Sequence, residues 1–120
     1  MRALIATVAL VSLSGCVTYP EPHNAVLTSV ENDGHRLKYV CTNPSLSFGC
    51  ASYIGGVVDG AALQAKITDE ALPYCGPGRL KYGQYVDVVT KYLNDHSEHL
   101  HQHASVLIMF ALRYTFPCKG

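Results

Sequence analysis

The sequence predicts an all-α fold, a small disulfide-bonded bundle of three main helices with a short helix before them. Two observations carry that prediction. Apolar residues recur at the spacing of three and four that gives a helix one buried face. Four cysteines, Cys41, Cys50, Cys75 and Cys118, remain once Cys16 is set aside, an even set that fits two bridges.

Cys16 is set aside because it closes a leader. Arg2 gives the positive start, Ala3 to Leu13 form an apolar core too short to span a bilayer, and small Ser14 and Gly15 precede the cysteine. Residues 1–15 are therefore expected to be a lipoprotein signal peptide, with Cys16 acylated after cleavage. Val17 follows, with no aspartate to signal inner-membrane retention. The expected location is the outer membrane of the cell envelope, facing the periplasm, where disulfides persist. Palmitate-type chains would hold the protein there, each buried methylene adding about 0.8 kcal/mol.

Cleavage before Cys16 leaves 105 of the 120 residues, enough for one small domain. A core of that size is thin. Two disulfides, at roughly 2–4 kcal/mol each, would supply a large share of its stability. The mature chain carries eight basic against nine acidic residues, a net charge of minus one, so no field favours nucleic acid.

Residues 16–32 contain two prolines and no sustained period, and read as a tether for a domain over 33–120. Asp33 caps a short helix that runs through Leu37 and Val40 and stops near Cys41 at Thr42, Asn43 and Pro44. Ser45 or Ser47 is expected to cap the next helix. Its apolar stripe is Cys50, Tyr53, Ile54, Val57, Val58, Ala61 and Ala62. Gly55 and Gly56 weaken it by roughly 1 kcal/mol each, which points to a close backbone approach there. Gln64 to Arg79, with Pro73, Gly76, Pro77 and Gly78, reads as a long connection pinned by Cys75.

A second main helix is expected from about Leu80 to Leu93, burying Tyr85, Val86, Val89, Tyr92 and Leu93, with Asp87 and Lys91 paired four apart. The third covers Ala104 to Thr115 and is apolar nearly all round from Val106 to Leu112, so it is placed at the centre, with Pro117 as its stop. Four cysteines allow three pairings. Antiparallel packing would bring Cys75 and Cys118 to one end, favouring Cys75 with Cys118 and Cys41 with Cys50.

The most distinctive local chemistry is HSEHLHQH, which holds His96, His99, His101 and His103. On a helix, His96, His99 and His103 would share a face and could hold a metal, with Glu98 or Asp95 nearby. The preferred reading is a solvated loop with no metal and no cofactor. Catalysis finds no support: an even cysteine count opposes a thiol nucleophile, no serine sits in a Gly-x-Ser-x-Gly turn, and Asp59 lacks a second carboxylate.

RLKYVC at Cys41, CASYIGGVVDG from Cys50, CGPGRLKYGQ from Cys75, VDVVTKYL from Val86 and ALRYTFPC up to Cys118 together resemble the Rap/Tai family, the immunity proteins of type VI secretion amidases. The resemblance covers Leu37 to Cys118. It implies an all-helical periplasmic protein that is not an enzyme, binds a peptidoglycan amidase effector, occludes its cleft and often forms a homodimer. The family often has Thr at Lys81, prolines at Ser97 and His103, and a basic residue at His99. The last three fall in the loop between the last two helices, so His96, His99, His101 and His103 are expected at the partner surface. A second reading, an envelope stress or metal-handling lipoprotein, is motivated by the six histidines.

Overall fold

The computed structural model describes residues 32–78 and 80–119, and the signal peptide, Cys16 and nearly all of the tether lie outside them. Four helices follow in order: α1 (Gly34–Thr42), α2 (Ser47–Thr68), α3 (Tyr82–Asp95) and α4 (Ala104–Thr115). Among the described residues there is no strand. Short 3-10 turns, Pro44–Leu46 and Ser97–His99, precede α2 and follow α3.

Asp33 starts α1 as expected, its side chain accepting the Arg36 N–H at 3.0 Å. The chain leaves α1 at Asn43, which is extended because the following Pro44 disfavours the helical region. Neither serine caps α2. Asn43 Oδ1 takes the Ser45 N–H at 3.0 Å, and the 3-10 turn then runs into α2 by passing the Ser47 N–H to the Pro44 carbonyl.

The α2 helix continues to Thr68, six residues past the expected stripe. Lys66, Ile67 and Thr68 are helix-compatible, and what stops the chain is Asp69 in the left-handed region at φ 54°. Its N–H and that of Glu70 both close on the Ala65 carbonyl. Aspartate tolerates that conformation better than most side chains. The connection is thus shorter than Gln64 to Arg79.

At the start of α3, Gln84 Oε1 accepts the Lys81 N–H at 2.8 Å and the Gln84 N–H returns to the Lys81 carbonyl. The helix runs two residues beyond Leu93. Lys91 pairs with Asp95 at 2.7 Å rather than with Asp87. Exposed pairs one turn apart differ by only tenths of a kcal/mol, so sequence does not rank them.

The α4 bounds agree with the expectation. Leu107, Ile108, Ala111 and Leu112 are fully buried against Leu37, Cys50, Ile54, Val89 and Leu93. As expected, α4 packs against all three other helices and carries five fully buried residues, but it is not buried all round, since Val106 faces outward. Two disulfides close the bundle, Cys41–Cys50 between α1 and α2, and Cys75–Cys118 joining the approach to α3 with the exit of α4. The Cys75 N–H donates to the Phe116 carbonyl at 2.9 Å, so backbone and sulfur hold that end together.

Candidate functional site

Two surfaces could do chemistry or binding. The first is the corner between α3 and α4, which carries the histidine-rich segment. It is not a helix: His96 leaves α3 at φ −124°, Ser97–His99 make one 3-10 turn, and Leu100 is buried beneath. The turn seats Leu100 in the same core cluster as Leu93 and Leu107.

That geometry agrees with the loop reading and separates the three histidines that a helix would have put on one face. His103 lies at the start of α4, where its Nδ1 accepts the Ser105 N–H and faces Ser105 Oγ at 2.9 Å. His101 Nδ1 meets the Glu98 carbonyl at 3.0 Å. His96 and His99 do come together, with ring centroids 5.6 Å apart and nearly parallel planes, and Glu98 joins them in place of His103. His96 also packs on Tyr92 at 4.4 Å and edge-on to Tyr114 at 5.3 Å.

Sequence reading missed the part played by Tyr92 and Tyr114. The ring of Tyr92 is buried, yet its hydroxyl reaches His99 Nδ1 at 3.1 Å. The one available signal was spacing, since Tyr92, His96 and His99 follow one another at helical intervals. Glu98 is held below the usual carboxylate range by the hydrogen bond to its own N–H, and next by His96. Asp95 is lowered by the Lys91 ammonium.

The loop is pinned by its own backbone. The N–H groups of His99 and Gln102 donate to the carbonyls of His96 and His99 at 3.0 and 2.9 Å. The start of α1 clamps the far side: Gly34 donates to the Gln102 carbonyl at 2.9 Å, and Ala104 donates to that of Asn32 at 2.7 Å. His101 and His103 remain exposed on this fixed frame.

The second surface is an apolar groove of about 480 Å³ on α2, between Phe48 and Tyr82 and floored by Gly55 and Gly56. Phe48 is 85 % exposed, and Ile67 farther along the helix 71 %. Asp59, the one acid considered for catalysis, accepts the Tyr82 hydroxyl at 3.5 Å. The close approach at the glycine pair is made at Gly55 alone and by a ring, not a backbone. All four described cysteines are in disulfides, which takes them out of thiol chemistry.

A family model described as Rap1a immunity proteins matches residues 33–118. The chain belongs to the Rap1a immunity protein family. No curated protein and no solved structure matches it. Membership makes it an immunity protein of type VI secretion that binds a cognate effector, in a family that is not typically enzymatic. The match begins at Asp33, the cap of α1, and ends at Cys118, so the Rap1a domain is the disulfide-closed bundle itself.

Proposed function

We propose that this Rap1a protein is a lipid-anchored periplasmic immunity protein that binds a type VI secretion amidase and occludes its peptidoglycan cleft through the α3–α4 corner. The observation that carries the reading is the corner's rigidity. A loop of eight residues, His96 to His103, is held by backbone hydrogen bonds within itself and to α1 while its polar side chains stay accessible. Such a loop loses little conformational freedom when it enters a cleft, so more of the contact energy appears as affinity. The exposed groups His101, His103 and Glu98 offer donors and acceptors at the tip, and His96 with His99 lie behind them.

The anchor supplies location. Acylated Cys16, after loss of residues 1–15, would tether the domain at the outer membrane with residues 17–32 as reach. An immunity protein placed there meets an incoming effector before the wall is cut.

The test uses the intact protein in its own cells. Pull-down from envelope extract should recover a peptidoglycan amidase, and a deletion strain should become sensitive to its siblings. Changing the side chains at the tip, Glu98→Lys with His101→Glu, should weaken capture at least tenfold while circular dichroism stays unchanged. Replacing Cys16 with Ser should leave amidase binding intact but release the protein from membranes. Recovery of no hydrolase together with undiminished resistance overturns the reading.

A further inference from the structure

We propose that His96, Glu98 and His99 form a binding site for a divalent transition metal of the zinc class at the junction of α3 and the 3-10 turn. The three donor atoms lie within 4.8 Å of one another. His96 Nδ1 stands 3.3 Å from Glu98 Oε1, and His99 Nε2 stands 3.8 Å from the same oxygen. Two ligands about 2.0–2.1 Å from a tetrahedral ion are separated by roughly 3.3–3.4 Å. One edge of the ligand triangle is therefore in place, and the others close by small rotations of part-exposed side chains.

The hydrogen bond that Tyr92 makes to one of the two histidines distinguishes this cluster from an ordinary histidine-rich loop. His99 Nδ1 lies 3.1 Å from the hydroxyl of Tyr92, whose ring is buried. With Nδ1–H donated to that oxygen, the lone pair sits on Nε2, the nitrogen that faces Glu98. That is the tautomer a metal needs, and the phenol oxygen of Tyr92 is placed to accept its proton. Tyr92 and Tyr114 wall His96 on its other side. Two imidazoles and one carboxylate suit zinc, nickel or copper and are poor for calcium or magnesium. Three protein ligands leave a fourth position open to solvent or to a group from a partner. An ion here would cross-link the last turn of α3 to the loop. The inference stands on the cluster's geometry and does not depend on the amidase reading.

Isothermal titration calorimetry of the processed, disulfide-intact protein in detergent, with zinc chloride as the probe, tests it. One ion per chain is expected. His96→Ala and Glu98→Gln should each weaken binding at least tenfold, and Tyr92→Phe about tenfold through loss of the hydroxyl's bond to His99 Nδ1. His101→Ala and His103→Ala should change it less than twofold, since those rings are engaged elsewhere. Unchanged far-ultraviolet circular dichroism in each variant separates loss of the site from loss of the fold. No saturable one-to-one binding overturns the proposal, as does binding that survives His96→Ala and Glu98→Gln or is lost on His101→Ala.

Discussion

Gly34 lies against the backbone of Leu100: a Cβ built at Gly34 would stand 2.8 Å from both the Cα and the carbonyl oxygen of Leu100 and would strike Leu107 Cδ1 as well. Backbone cannot swing aside as a side-chain tip can. Gly34→Ala should therefore push α1 off the α3–α4 loop and destabilise by about 2–3 kcal/mol. In a domain of this size that is a fall of roughly 10 °C or more in Tm. Gly56 is the control, since its Cβ would meet nothing within 4 Å. There Ala should stabilise by about 0.5–1 kcal/mol through helix propensity. Thermal unfolding of the two variants beside the parent checks both signs.

The two disulfides should differ in worth and in accessibility. Cys41–Cys50 spans 9 residues and Cys75–Cys118 spans 43. Loop-closure entropy then assigns about 2.6 kcal/mol to the first and about 4 kcal/mol to the second. Denaturant unfolding of Cys75→Ala/Cys118→Ala should accordingly show the larger loss. Cys75 and Cys118 are exposed whereas Cys50 is fully buried, so mild dithiothreitol should open Cys75–Cys118 first, read by alkylation and mass mapping.

Stability should fall on the alkaline side as the buried Tyr74 phenol is forced to ionise. Burial pushes the Tyr74 phenol up to about 12, with the neighbouring Tyr85 and Asp59 adding to the effect. The unfolded phenol ionises near its ordinary value of 10.0. A raised folded pKa contributes stability that is complete below pH 10 and is lost as the pH climbs toward 12. Tyr74→Phe should flatten that decline, measured by denaturant midpoints at pH 9, 10.5 and 11.5.

Thr90 carries the one buried side-chain oxygen that lacks a hydrogen-bond partner among the described residues. An unsatisfied hydroxyl costs about 1 kcal/mol or more, and valine keeps the shape without it. Thr90→Val should raise Tm by a few degrees. An unchanged or lower Tm would mean that the hydroxyl is satisfied in solution.

Much of the bundle could be read from local pattern. Asp33 as the cap of α1, the bounds of α4 and the buried face of α3 each depend on residues within four or five positions of one another, and that is the range over which helix chemistry acts. The length of α2 could not be read that way, because its stop is set by Asp69 turning left-handed, not by a proline or glycine. Gly34, unremarked in the sequence, proves to be the tightest of the described glycines, whereas of the prominent Gly55–Gly56 pair only Gly55 meets a neighbour, the movable ring of Tyr82.

The sequence by itself determined the class: an even set of cysteines and three apolar helical periods leave little but a stapled helical bundle. Tertiary structure decided the corner. Whether His103 or Glu98 joins His96 and His99 depends on where α3 ends and how Leu100 is buried, and Leu100 packs against Gly34 at the start of α1, far away in the chain. Periodicity reports which face of a helix avoids water. It is silent on where a loop aims its side chains, because that direction is fixed by contacts between parts of the chain that no local pattern connects.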